Sequence, residues 1–334
     1  MAQKISIVIP NYNGENLLSK NLPQVLKACK GCEVIVVDDA SSDNSVKILK
    51  KDFKQVKTII HHKNRGFGKT VNEGVSAASG DLVLLLNSDV VPKEGFLDYA
   101  REHFKQEDIF AVGLADLSHE NGKVITRGKG GARFRRGFLE HFPAKIEEGE
   151  TLWVSGGSSL VDRKKFSEIG GFDTTFAPFY WEDIDLSYRA RKRGYKCIFE
   201  PKSKVDHFHE EGAIKKHYKE SFVKKAAYKN QFLFVWKNID DPILLINHLI
   251  WQPYHFAKAL FTWDLPFLLG FLWALRQLPQ LIFNDQKDNN IKPRSKGRAS
   301  LIFAQNSIHP EDEIPGFFAQ NKISDRNIIK QFER

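Results

Sequence analysis

Short apolar runs of strand length alternate with helix-spaced apolar positions through the first quarter of the chain. Ile5-Ser-Ile-Val-Ile9 reads as a buried strand, closed by Pro10 and the turn residues Asn11-Tyr-Asn-Gly14. Leu17, Leu18, Leu22, Val25 and Leu26 then recur at helical spacing and predict a helix over about 16–29. Glu33–Asp38 is a second apolar run, and Asp39–Asp43 supplies turn residues and a helix N-cap ahead of Val46, Ile48 and Leu49. Thr58–His61 and Asp81–Leu86 read as the third and fourth strands. Continuous apolar strands separated by helices predict a parallel sheet covered on both faces.

Ligands of such sheets bind beyond the carboxyl ends of the strands. Pro10–Asn13, Asp38–Asp39, Asn64–Gly68 and Asn87–Asp89 all fall at those ends, and their convergence marks a binding site. No G-x-G-x-x-G follows the first strand, which counts against a nicotinamide or flavin domain.

The second half is patterned differently. Ser155-Gly-Gly-Ser-Ser159 and Gly170-Gly-Phe-Asp173 lead into Phe179-Tyr-Trp-Glu-Asp-Ile-Asp185, an acidic cluster flanked by aromatics. Residues 127–138 are basic and Gly-rich, either a plain loop or a mobile flap over phosphates. Residues 243–251 and 265–275 are rich in Trp, Phe and Leu. Polar residues such as Asn247, His248 and Lys258 interrupt the first, while Asp264 and Arg276 bracket the second. Neither reaches the roughly 18 apolar residues of a spanning helix. Amphipathic helices lying in a membrane interface are expected there, with a helical subdomain packed on the core as the alternative. Lys292–Arg298 reads as an exposed linker.

Hydrophobic and charged contents of 42% and 27% in 334 residues are those of a folded globular chain. The net charge of +9 is partly local, since residues 185–230 hold thirteen Lys/Arg against six Asp/Glu. That balance suits anionic lipid or phosphorylated small molecules; without a nucleic-acid motif, nucleic acid is not an expected partner. Three cysteines form no disulfide framework and fit a reducing compartment. Cys29 and Cys32 follow a helix rather than open one, so no redox role is expected. The first apolar run is too short for a secretory signal, which makes the cytoplasm the expected location.

A strand delivering Asp89 to a sheet edge, with Glu182, Asp183 and Asp185 downstream, suits a metal-bound diphosphate and a general base. Over roughly residues 4–212 these motifs resemble the inverting family 2 glycosyltransferases, of the rhamnosyltransferase-like type that builds bacterial polysaccharide and cell envelope. The resemblance implies a GT-A fold, an α/β Rossmann-like, mostly parallel sheet flanked by helices. Residues 1–212 would form the catalytic domain, with a nucleotide-binding half to about 115 and an acceptor half from about 116. A helical, membrane-interfacial extension (213–285) and a polar tail (286–334) would follow.

By the same resemblance, Asn87-Ser88-Asp89 occupies the place of the family's D-x-D motif, Asp89 holding Mg²⁺ or Mn²⁺. Asn87 is neutral where an acid is common, which weakens the expected need for metal. Asp39 would bind the nucleotide base opposite Pro10, Asn11, Tyr12 and Asn13. Arg65 and Gly66 would meet the diphosphate, Gly156 and Gly157 would lie beneath the donor sugar, and Trp181, with Tyr180, would wall the site. Asp183 corresponds to the base, with Glu182 or Asp185 able to substitute; Asp185 also faces Arg189 at i+4 and is expected to pair with it. His207, which shares a strand face with His209, corresponds to a further metal ligand. The expected donor is a UDP-, dTDP- or GDP-linked sugar. The expected acceptor is a glycan or polyprenyl-diphosphate-linked glycan at the inner, anionic face of the cell membrane. Two other readings stay open: a nucleotide-binding membrane scaffold without catalysis, and a nucleotidyltransferase, whose Gly-rich signature Pro10–Gly14 lacks.

Overall fold

The computed structural model describes residues 3–120, 122–208, 218–287 and 323–333. Strand β1 (Ile5–Asn11), helix α1 (Glu15–Ala28), β2 (Glu33–Asp38), α2 (Ser45–Asp52), β3 (Lys57–Ile60), α3 (Phe67–Ala77) and β4 (Leu82–Leu86) follow the expected alternation. β3, β2, β1 and β4 lie side by side and run parallel. The order reverses around β1, which opens a crevice at the carboxyl ends of β1, β2 and β4.

β5 (Val90–Pro92), α4 (Phe96–Glu102), β6 (Ile109–Glu120) and β7 (Lys123–Arg127) come next, then β8 (Gly130–Arg135), β9 (Phe138–Pro143) and β10 (Gly149–Glu150). β11 (Ser158–Asp162), α5 (Arg163–Ile169), α6 (Glu182–Lys192) and β12 (Lys196–His207) complete the ten-stranded sheet and its cover. β11 runs antiparallel between β4 and β6, and β12 runs parallel to β6. Apolar side chains pack on both faces of the sheet, as continuous apolar strands require: Leu18, Leu22 and Phe96 on one side, Val71, Val75 and Phe166 on the other.

Residues 127–138 are neither a plain loop nor a free flap. β8 and β9 form a two-stranded hairpin, and its tip is fastened to a later helix. That helix is α8 (Pro242–Phe261), set between α7 (Glu220–Asn238) and α9 (Leu265–Lys287). Gly137 N donates to Asn247 Oδ1 at 2.9 Å, and the His248 and His255 rings lie 2.6 and 2.7 Å from the Gly137 and Arg136 carbonyls. α8 starts where Asp241 accepts from Ile243 N and Leu244 N, with Pro242 at the first turn.

Residues 243–275 fold as helices packed on the rest of the chain, with one apolar face left exposed. His248, Ala259, Phe267 and Ala274 pack into a third core with Phe232 and Phe234, while Ile246, Leu249, Ile250, Leu260, Phe261 and Trp263 stay exposed. Among the described residues, no helix is long and apolar enough to cross a membrane. The expected polar tail is corrected over its last residues. α10 (Asp325–Gln331) docks on α6, the buried Asp325 accepting from Tyr188 at 2.8 Å and from Asp240 N and Asp241 N at 2.6 and 2.9 Å. The linker at 292–298 lies outside the described residues.

Candidate active site

The crevice wall from β1 is braced by its own polar residues. Asn11 Nδ2 donates to Asp38 Oδ2 at 2.8 Å, and Asn13 Oδ1 accepts from Ser42 N at 2.8 Å. Asn11 and Asn13 therefore tie the β1 and β2 loops together. Asp39 is nearly buried, and its carboxylate accepts from Arg65 N (2.8 Å), Gly66 N (2.9 Å) and the His61 ring (2.7 Å). These bonds fold the 64–66 turn over the crevice, and Gly66 at φ 80° needs its missing side chain to make that turn. Arg65 is half exposed and pairs with Glu73, which also meets His61. His61 and Glu73 carry no motif, and only the fold reveals them. The same is true of Tyr218, whose hydroxyl is raised by burial first and then by facing Tyr12 and Asp39.

At the end of β4, Asn87 and Asp89 part ways. The Asn87 side chain fills the space above Gly157, where a Cβ would collide with its amide, and Asn87 N donates to Gly157 O at 2.9 Å. A Cβ on Gly156 would press on Phe67 and Phe172. Both glycines are thus required by protein neighbours. Ser88 O accepts from Asn21 on α1 at 2.8 Å, which fixes the strand end.

Asp89 Oδ2 stands 3.4 Å from His207 Nε2, and both residues are buried. The other ring nitrogen of His207 meets the buried Asp116 carboxylate at 2.5 Å. An imidazole oriented by a carboxylate behind it, with a second carboxylate in front, is a donor set that fits a divalent cation. Burial alone would lower the His207 pKa; its bonds to Asp116 and Asp89 prevail and raise it to about 9, so metal has to displace a proton there. Asp116 was invisible as a site residue because its strand reads as core. His209 lies outside the described residues. A second grouping able to hold an ion, His103 with Glu148 and Glu200, includes a residue earlier on β12.

The acidic cluster opens α6. Burial pushes the Asp183 carboxyl up, against hydrogen bonds from Ile184 N and Gly156 N. Burial first, and then the Asp183 charge, push Glu182 well up. Asp185 is fully buried, pairs with Arg189 at 2.7 Å and accepts from Asn238 at 2.9 Å, which makes it structural as expected. Trp181 is only 6% exposed and packs against Phe234 and His141, whereas Tyr180 is 43% exposed. Tyr180 and Trp181 both hold left-handed backbone, φ 70° and 74°, at a cost of about 1–2 kcal/mol each.

The Ser155–Gly157 turn links these parts: Gly157 sits under Asn87 at the end of β4, and Gly156 N reaches Asp183. A mixed sheet with a crevice at the ends of its parallel strands, a carboxylate–imidazole pair able to hold a cation and adjacent raised carboxyls fits a GT-A-type transferase architecture. Residues 6–170 match, and belong to, the family described as Glycosyl transferase family 2. It is 24% identical over 209 residues to a pre-mycofactocin glycosyltransferase of Mycobacterium tuberculosis, covering 61% of this chain and 43% of that protein. It is 40% identical over 95 residues to an undecaprenyl-phosphate 4-deoxy-4-formamido-L-arabinose transferase of Proteus mirabilis, covering 26% and 29%. Its fold resembles that of GalNAc-T7 solved with UDP, GalNAc and Mn²⁺, with a TM-score of 0.58, 17% identity and coverage of 72% and 49%. The chain spans less than half the length of each.

Proposed function

We propose that this chain is an inverting, metal-assisted glycosyltransferase acting from a nucleoside-diphosphate sugar on a hydroxyl of a glycan or lipid-linked acceptor. The observation that carries the reading is the Ser155–Gly157 turn, which joins the Asp89 strand end to Asp183. Tyr12 and Asp39 would line the base end of the crevice, and Arg65, half exposed beside Glu73, would meet the diphosphate. Asp89 and His207, braced by Asp116, would hold the cation, whose charge offsets that of the departing diphosphate. Asp183 takes the proton of the acceptor hydroxyl as its oxygen bonds to the anomeric carbon. The bond from that carbon to the diphosphate breaks on the opposite face, so the configuration inverts. Raised carboxyl pKa values suit that task, because a stronger base accepts the proton more readily.

The acceptor reading draws on the exposed face of α8 and α9. Phe261 and Trp263, at 87% and 91% exposure, cap an apolar surface edged by Lys258, a pattern that fits peripheral docking on an anionic bilayer at the inner face of the cell membrane. The P. mirabilis relative is named for an undecaprenyl-phosphate substrate, which agrees with a lipid-borne acceptor.

Calorimetry with UDP, dTDP and GDP, each with and without Mn²⁺, on wild type and Asp89→Ala tests the donor site. Metal-dependent binding of one nucleotide, lost in the variant, is expected; no binding of any would end the transferase reading. Flotation with anionic vesicles tests the surface. Failure to float, or flotation unchanged by Phe261→Ser with Trp263→Ser, would remove the membrane from the proposal.

A further inference from the structure

Two consecutive side chains of α7 grip the loop that leads to Asp183. Lys229 and Asn230 are both fully buried, and an amine or amide is tolerated there only if its donors find acceptors. The Lys229 ammonium donates to Thr175 O at 3.1 Å and Ala177 O at 2.5 Å. Asn230 Nδ2 lies 2.7, 2.9 and 2.8 Å from the carbonyl oxygens of Phe176, Phe179 and Tyr180. An amide nitrogen has only two hydrogens, so these three acceptors share them. Residues 175–180 thus turn five carbonyl oxygens toward one pair of neighbours on one helix.

The cost of this arrangement is visible in Asn230 itself, whose Oδ1 is buried with no hydrogen-bond partner. An apolar residue of the same size would leave no such orphan, so packing alone does not account for an asparagine. What the pair holds is an unfavourable backbone. Tyr180 and Trp181 are successive non-glycine residues in the left-handed region, and the next two residues are Glu182 and Asp183. Released, the two would return to ordinary φ and swing the start of α6 away from Gly156. Lys229 also carries its charge within range of Glu182 and Asp173.

We infer that Lys229 and Asn230 are positioning residues for the base, holding the Tyr180–Trp181 turn so that Asp183 stays beside Gly156; this rests on the reading of Asp183 as the base. The hydrogen bonds of both side chains go to the 175–180 loop and not to the crevice of β1, β2 and β4 or the Asp89–His207 pair, and that loop lies near Gly66 at Ala177 and Pro178.

The test uses the full chain as wild type, Lys229→Met, Lys229→Arg and Asn230→Leu. Amide hydrogen exchange is followed in peptides covering 174–186 and 4–89, with UDP and GDP plus Mn²⁺ as binding probes and donor turnover alongside. Both donor-removing variants are expected to exchange at least about tenfold faster in 174–186. Peptides from 4–89 and nucleotide affinity should stay within about twofold. Turnover should fall about 100-fold through kcat, and Lys229→Arg should recover most of it. Uniformly faster exchange, unchanged exchange in 174–186, or a parallel loss of nucleotide affinity would each overturn the inference. Should Asn230→Leu fail to fold, Lys229→Met against Lys229→Arg decides alone. If wild type turns over no donor, the transferase reading fails, while exchange and binding still judge the grip on the loop.

Discussion

The crevice half and the base half of this site are built by opposite means. Around β1, β2 and β4, the residues that shape the site are bonded to loops of the same βαβ units, as in Asn11 to Asp38, Asn13 to Ser42 and Asp39 to Arg65 N. Around Asp183, support comes from helices that follow the sheet in the chain. Asn230 and Lys229 hold the preceding loop, Asn238 holds Asp185, and Asp325 on α10 receives the Tyr188 hydroxyl. A nucleotide crevice of this kind needs only local turns at strand ends. The strained Tyr180–Trp181 turn, which leads to the proposed base Asp183, has an external brace, and the C-terminal helices supply it.

The strongest way to sharpen the contrast is to remove the base without touching the crevice. Asp183→Asn should lower turnover about 1,000-fold, within the range for losing a general base, and leave nucleotide affinity unchanged. In wild type, the acid limb of kcat/KM should lie above the ordinary carboxylate range of about 4, because burial raises Asp183 and the base must be ionised to act. A limb at or below that value would reassign the base.

Next in size is Asp116→Asn, which keeps the shape behind His207 and removes its charge. Mn²⁺ affinity, read by calorimetry with nucleotide present, should fall about 10- to 100-fold. An unchanged affinity would take His207 out of the metal set.

The brace itself can be broken at Asp173, which pairs with Lys237 of α7. The Asp173 carboxyl is held well below its usual range: burial opposes this, but Lys237 and Thr175 overcome it. A depressed carboxyl stabilises the fold above its unfolded pKa of about 3.9, and that share is lost as pH falls further toward the folded value. Asp173→Asn should cost about 3 kcal/mol at pH 7 in denaturant melts and flatten the acid limb of the stability curve below about pH 4. A loss of stability that persists undiminished at low pH would contradict the ion-pair account.

The smallest expected effect on folding is at the exposed apolar face. Phe261→Ser with Trp263→Ser should shift stability by under about 0.5 kcal/mol, since both side chains are almost fully in water. A large stability loss would mean that this face packs against protein.

Strand and helix periodicity made the β1–β4 half legible, with boundaries within a residue or two, because each strand is apolar along its length and each loop carries turn chemistry. The acidic and glycine motifs located Asp89, Gly156, Gly157 and Asp183 along the chain. Their neighbours were not legible. Asp116 and His61 sit in stretches that read as core strand, and the hairpin over 130–143 was masked by glycines and arginines that resemble a loop. The protein neighbours of Gly157 and Trp181, Asn87 and Phe234, were likewise not legible.

Taken alone, the order of residues determined the sheet-forming units, the strand ends where polar groups collect and the family to which residues 6–170 belong. These depend on local periodicity and turn preference, which short windows of chain contain. Only the tertiary structure decided which carboxylate stands behind His207, how α7 holds the turn before Asp183, and how α10 fastens Tyr188 on α6. Those contacts join residues from 50 to 137 positions apart, and no local pattern encodes a partner at that distance.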